Sequence, residues 1–305
     1  MHYYNSMRDL IGYTPLVKIN YAFEQVEGVN LFAKLEYYNP SGSVKDRTGL
    51  YMVEDAIKDG RLKRGSTIVE ATAGNTGLGV AFAALNLGFH VIFVVPEKFS
   101  EEKQILMKAL GADIIHTKRE DGMLGAAAKA QELLSEIKDS ISLQQFKNMS
   151  NPKAHYETTG PEIYQDLDGK IDYLVAGAGS GGTYSGVVKF LKEQNRNIKG
   201  ILADPVGSTM GGGEHADYDI EGIGNDFIAD TMDMSLVDKV IKINDSQAFD
   251  GARALARHEG ILGGSSTGAA FSAALKLIYE HHVKGNIVFI APDSGDRYFS
   301  KHLYV

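Results

Sequence analysis

Short runs of β-branched and aromatic residues alternate along this chain with longer stretches whose apolar positions recur every three or four residues. The short runs predict strands at residues 31–35, 67–70, 91–95, 113–116, 172–176, 200–203, 240–243 and 287–290. Between them lie helical patterns. Leu50, Val53 and Ile57 make an apolar face behind Asp46, residues 76–87 are rich in Ala, Leu and Val, and residues 248–259 also read as helix. Residues 266–279 open on Ser and Thr, good N-cap residues, and then set Phe271, Leu275 and Ile278 at helical spacing. Strand–helix alternation of this kind is the mark of parallel βαβ units, so the predicted fold class is α/β. Half of the strands precede residue 147 and half follow, which predicts two open twisted α/β lobes with a cleft between them. The loosest stretch, residues 205–219 with three consecutive glycines, reads as a long surface loop.

Composition narrows the function classes. A chain of 305 residues, 44% apolar, buries a full core without staples. It has no cysteine, which excludes disulfides and thiolate metal sites and fits a cytoplasmic address. A net charge of −8 with scattered acids argues against nucleic-acid or anionic-membrane partners. Apolar runs such as 91–95 and 287–291 are strand-sized, far below a bilayer span, and residues 1–16 have no signal-like apolar core. The nine histidines show no H-x-x-x-H or H-E-x-x-H spacing, so no metal site is expected.

Four segments rich in glycine and hydroxyls each sit where a loop should open a helix. Residues 40–47 (PSGSVKDR) place Lys45 at a helix entry, where the positive end of the dipole favours the neutral amine able to condense with an aldehyde. Residues 70–77 (EATAGNTG) follow a strand, and their amides and hydroxyls converge at a helix N-terminus, a carboxylate or phosphate pocket. Residues 177–183 (GAGSGGT) offer successive amides with almost no side chains, a nest for phosphate, with Ser180 and Thr183 adding hydroxyls. Residues 264–268 (GSSTG) also precede a helix and on their own read as a plain cap.

Two rival readings use the same residues. Gly177, Gly179 and Gly182 satisfy G-x-G-x-x-G, with Asp204 ending the next strand about 20 residues on, as a dinucleotide site requires. Residues 264–268 satisfy G-x-S-x-G with Ser266 central, but a nucleophile elbow needs a preceding strand, and the residues before it look helical.

The four segments together, in this order and spacing, resemble the β-family (fold type II) pyridoxal-phosphate enzymes, the cysteine synthase and cystathionine β-synthase family, from Thr14-Pro15-Leu16 to Arg297-Tyr298. The resemblance implies a tryptophan-synthase-β-like fold with the cofactor cleft between the lobes. It implies a larger cofactor-phosphate lobe of residues 1–40 and 147–305, and a smaller mobile substrate-binding lobe of residues 41–146. It assigns Lys45 to the cofactor carbonyl and the Cα proton, Asn75 to the cofactor's 3′ oxygen, and Ser266 to the pyridine nitrogen. Gly179, Ser180, Gly181, Gly182 and Thr183 match the phosphate cup, and Thr72, Ala73, Gly74, Thr76 and Gln145 the cradle for the substrate carboxylate.

The implied reaction is a β-replacement on O-acetylserine or serine through an aminoacrylate. A neutral hydroxyl at the pyridine nitrogen makes the cofactor a weak electron sink, which suits elimination at Cβ. Residues 148–156, 204–208 and 221–227 look like cystathionine β-synthase, in which homocysteine is the acceptor; cysteine synthases, which take sulfide, more often carry Gln where Glu221 stands. Ala73 departs from the usual serine of the cradle. The chain has neither the haem-binding extension nor the C-terminal regulatory module of animal cystathionine β-synthases, so it is similar to stand-alone bacterial O-acetylserine-dependent versions, with pyridoxal 5′-phosphate and no haem. Small amino-acid substrates, a homodimer and a cytoplasmic location are what the resemblance implies.

Overall fold

A computed structural model describes residues 1, 3–97 and 101–305. In chain order the strands are β1 (Leu16–Lys18), β2 (Val29–Leu35), β3 (Thr67–Ala71), β4 (His90–Pro96), β5 (Asp113–Thr117), β6 (Ser140–Ile141), β7 (Tyr173–Gly177), β8 (Lys199–Pro205), β9 (Lys239–Ile243) and β10 (Gly285–Ala291). The helices are α1 (Lys45–Lys58), α2 (Asn75–Ala84), α3 (Glu101–Ala109), α4 (Gly122–Glu136), α5 (Ser150–Ala154), α6 (Gly160–Asp166), α7 (Gly182–Gln194), α8 (Asp245–Glu259) and α9 (Ser265–Tyr279). All eight expected strands are present, each within two residues of its expected ends. The two unexpected strands, β1 and β6, have three and two residues, too short to show a period.

The chain divides into two units, one of Met1–Ile11 and Lys45–Asn151, the other of Gly12–Val44 and Pro152–Val305. These divisions differ from breaks near residues 40 and 147. Residues 1–11 go with the first unit, where Arg8 Nη2 bonds Glu54 Oε1 of α1 at 3.2 Å. Val44 goes with the second, its amide bonding Pro292 O at 2.7 Å. Ser150 and Asn151 stay with the first, Ser150 Oγ bonding Asp55 at 2.7 Å and Asn151 Nδ2 bonding Gln145 O at 2.9 Å.

The first unit is a parallel four-stranded sheet in the order β5-β4-β3-β6. Alternation along β3 and β4 sends Ile68, Phe93 and Val95 to one face, against Met52, Val53 and Leu78 of α1 and α2. Val69 and Val94 point the other way, onto Ala126, Ala130 and Leu133 of α4. Helices α1 and α2 cross backbone to backbone: a Cβ on Gly49 would stand 2.4 Å from Gly79 O, and one on Gly79 would stand 2.2 Å from Lys45 O.

The second unit is a six-stranded sheet in the order β1-β2-β10-β7-β8-β9, parallel except for the β1–β2 pair. Central β10 is buried on both faces, Ile287 and Phe289 on one and Val288 and Ile290 on the other, as a continuous apolar run demands. Helix α9 is buried almost all round and packs on α8, where a Cβ on Gly268 would lie 1.9 Å from Ala248 O.

Two local expectations need correction. Residues 205–219 are not simply a surface loop: Ser208 and Met210 are buried, and Gly211 N bonds the buried Asp204 at 3.0 Å. Helix α9 begins one residue before the expected Ser266, at Ser265, and its cap is Gly264, which has no side chain to cap with; Ser265 Oγ accepts from Glu221 N at 3.0 Å.

Each unit reverses strand order once. In the first, β3, β4 and β5 run outward and β6 returns to the free side of β3; in the second, β7, β8 and β9 run outward and β10 returns beside β7. Ligands of open α/β sheets bind at the carboxyl ends of strands at such a switch point. Residues 72–76 leave β3 there, residues 142–145 leave β6, and residues 178–183 leave β7.

Candidate active site

In the first unit Lys45 is the first residue of α1, half-buried, its carbonyl packed on Gly79 of α2. Asn75 opens α2 one turn before Gly79, behind the cap residue Gly74, so the two helix N-termini come together through their glycines. Thr72 and Thr76 are buried, and Thr76 Oγ1 donates to Gln145 Oε1 at 2.7 Å. Gly74 N reaches Thr72 Oγ1 only at 3.5 Å, leaving that amide weakly held. Ala73 is buried in the apolar cluster beneath the loop, a position with no need for a hydroxyl. Lys45, Thr72, Ala73, Gly74, Asn75, Thr76 and Gln145 thus gather at one end of one sheet.

In the second unit residues 177–183 run from β7 into α7, and the glycines of this segment answer to identifiable neighbours. A Cβ on Gly177 would stand 2.6 Å from Ile223, one on Gly179 2.5 Å from Gly222 O, and one on Gly181, at φ 81, 2.4 Å from Met232. Carbonyls of the segment are tied back: Gly224 N bonds Ala178 O at 2.8 Å, Asn225 Nδ2 bonds Gly179 O at 2.5 Å, and Thr231 Oγ1 bonds Ser180 O at 2.5 Å. Helix α7 starts at Gly182 behind Gly181, whose lack of a side chain leaves the first-turn amides without a cap. Thr183 Oγ1 lies 3.1 Å from His155 Nε2, and His155 Nδ1 lies 2.9 Å from Thr159 Oγ1. His155 is fully buried and opens a π-helical turn, His155–Thr159, a form frequent at functional sites.

Ser266 lies buried in the first turn of α9, and its hydroxyl has no hydrogen bond among the described residues. The neighbouring Thr267 Oγ1 is buried without a hydrogen-bond partner among the described residues. Glu221 is joined to this turn by its backbone, whose amide bonds Ser265, while its half-exposed carboxylate stands 3.5 Å from Lys301 Nζ. At Tyr298, burial and then the adjacent Asp293 carboxylate, to which its hydroxyl donates, hold the pKa well above the usual phenol range.

Residues missed from the sequence are His155, Asn225 and Thr231. The first and second fell inside segments 148–156 and 221–227, noticed only for their resemblance; Thr231 gave no signal, since its bond to Ser180 O spans 51 residues.

Each unit carries groups whose chemistry suits part of pyridoxal phosphate. The second has a run of uncapped amides among crowded glycines, suited to a dianion, and the neutral Ser266 hydroxyl, suited to a ring nitrogen; the first has a lysine at a helix start, suited to an aldehyde. The rivals do not survive the geometry. Asp204 is buried, its Oδ2 held by Lys242 Nζ at 2.5 Å and by Gly211 N, and that burial keeps the carboxylate from a ribose. Ser266 follows α8 and a loop, with no strand before it to form a nucleophile elbow. Among the described residues, no helix is long and apolar enough to cross a membrane.

Residues 7–293 match the family described as pyridoxal-phosphate dependent enzyme, and the chain belongs to that family of enzymes, whose cofactor is pyridoxal phosphate. Within it, the chain is 50% identical to an O-acetylserine dependent cystathionine β-synthase of Bacillus subtilis, over 97% of this chain and 96% of that one. It is 44% identical to a cysteine synthase of Helicobacter pylori, over 98% of both chains. The crystal structure of an O-acetylserine dependent cystathionine β-synthase from Helicobacter pylori superposes with a TM-score of 0.93 over 100% of both chains at 43% identity.

Proposed function

We propose that this enzyme joins O-acetylserine, or serine, to homocysteine to give cystathionine. The observation that carries this reading is the 50% identity, across nearly the whole of both chains, to a relative named for that reaction. Pyridoxal phosphate, when bound, supplies the electron sink that makes an amino acid's Cα proton removable.

The chain's own residues divide the remaining work. Lys45 holds the cofactor carbonyl, takes the Cα proton of the donor, and returns it once acetate has left Cβ and the homocysteine sulfur has added there. Amides and hydroxyls of Gly179, Ser180, Gly181, Gly182 and Thr183 hold the phosphate, Asn75 the 3′ oxygen, and Ser266 the ring nitrogen. Because Ser266 is neutral it does not keep that nitrogen protonated, which favours prompt loss of the Cβ substituent. Thr72, Ala73, Gly74, Thr76 and Gln145 take the donor carboxylate. Glu221 faces the acceptor's ammonium, with Lys301 as its resting partner. A cytoplasmic homodimer completes the reading, supported by the resemblance and by the absence of cysteine.

A second reading, cysteine synthase with sulfide as acceptor, is favoured by the 44% identical relative of that name. One experiment separates the two. The visible band of the holoenzyme should shift on adding O-acetylserine and return on adding homocysteine, and Glu221→Gln should lower kcat/KM for homocysteine about tenfold while leaving sulfide nearly unaffected. Return with sulfide alone, or equal losses for both acceptors, would transfer the assignment to cysteine synthase.

A further inference from the structure

Glu70 belongs to β3 two residues before Thr72, and no role has yet fallen to it. Its Oε1 accepts from three consecutive residues: Ser142 Oγ at 3.0 Å, Leu143 N, and Gln144 N at 3.1 Å. Those residues run directly into Gln145, which binds Thr76 of the cradle. The β3–β6 ladder has only two registered pairs, Thr67↔Ser140 and Ile68↔Ile141, so it stops short of the residues that need placing. Glu70 takes over where the ladder ends.

The opposite side of the segment is held as well. Asn148 Nδ2 bonds Leu143 O at 2.8 Å, Lys147 N and Asn148 N both bond Gln144 O at 2.9 Å, and Asn151 Nδ2 bonds Gln145 O at 2.9 Å. Gln144 sits at φ 53, a left-handed conformation that a residue with a side chain keeps only where its surroundings dictate it. Desolvation raises the Glu70 pKa above the usual carboxylate range, outweighing the lowering by the bonds from Leu143, Gln144 and Ser142. A carboxylate placed there without such partners would be unfavourable.

We propose that Glu70 is a positioning residue for the donor amino acid: by clamping residues 142–144 it sets Gln145 against Thr76 and so gives the carboxylate cradle its shape. The proposal rests on the reading that Gln145 and the Thr72–Thr76 loop take the donor carboxylate. It follows that losing the clamp weakens donor binding and leaves the acceptor step alone.

The test compares three variants of the holoenzyme. Glu70→Ala should raise KM for O-acetylserine about tenfold, with kcat and the acceptor KM within about twofold. Titrating the visible band with L-alanine, which has no Cβ leaving group, should show the same loss of affinity. Glu70→Gln, whose amide oxygen can accept the same three bonds, should restore both values. Glu70→Asp keeps the charge but falls one methylene short, so it should behave like Glu70→Ala and decides the matter if the alanine variant fails to fold. A purely structural residue would lower the active fraction, and with it kcat, at unchanged KM; that outcome, or a Gln variant as weak as Ala, overturns the proposal. A wild-type protein that binds L-alanine but gives no turnover with O-acetylserine and homocysteine would overturn the proposed function instead, and the L-alanine affinities would still judge Glu70.

Discussion

The loops at residues 72–76 and 178–183 occupy equivalent places, each leaving a parallel strand at a switch point and each opening a helix, yet they are built on opposite principles. In the second, small residues are imposed by crowding: Gly177, Gly179 and Gly181 have neighbours where a Cβ would go, and three carbonyls are tied back by Gly224, Asn225 and Thr231. In the first, Gly74 has nothing within 4 Å of that position, and the loop is held by hydroxyls, Thr72 at the edge of bonding distance and Thr76 to Gln145. A cup for a resident phosphate works best with its amides fixed in advance. The first loop, proposed to receive a substrate that arrives and leaves, needs groups able to exchange partners. Two different loops rich in small residues are thus crowded and tied back in one unit and open at Gly74 in the other.

Substitutions at glycine put the contrast at risk most directly. Gly181→Ala combines a left-handed backbone with a clash against Met232, and should destabilise the protein by about 3 kcal/mol and shed cofactor. Urea unfolding and the cofactor-to-protein ratio after gel filtration measure both, and a stable, fully loaded variant would mean the cup is not fixed. A smaller effect is expected behind the cup. His155→Ala removes the partner of Thr183 Oγ1, and should weaken cofactor affinity about tenfold with a changed phosphorus resonance of the bound phosphate. An unchanged resonance would detach His155 from phosphate binding and leave it a core residue. Smallest of all, Gly74→Ala should alter stability by less than about 0.5 kcal/mol and retain cofactor, with any change confined to donor KM. Cofactor loss in that variant would erase the distinction between the two loops.

What the sequence disclosed follows the range of the interactions involved. Strands β4, β7 and β10 were legible because each is built on an apolar run, and the 177–183 loop was legible because glycines stand between a buried strand and a helix. Residues 1–11 group with the first unit, where Arg8 bonds Glu54, 46 positions away, a pairing that no local pattern announces. Ser266 and Thr267 looked like caps on local grounds, but the helix starts at Ser265 behind Gly264, and the Ser265 hydroxyl accepts from the amide of Glu221, 44 residues earlier. Glu70 and its partners lie more than 70 positions apart, and no period along the chain announces such a clamp. Assignments to Gln145 and Ser266 came from resemblance alone. The structure places Gln145 beyond the end of β6 and Ser266 in the first turn of α9.

The place of β10 bears on how the protein is made. Among the strands of its unit it is the last to leave the ribosome, yet it fills the middle of the sheet, between β2 and β7. Until residues 285–291 emerge, two hydrophobic strand edges stand unpaired while the whole of Lys45–Asn151 is already available to fold. The nascent chain should thus carry a finished first unit beside an open, sticky half-sheet, and a message cut short before that strand would yield a product for chaperones and proteases rather than a shortened enzyme.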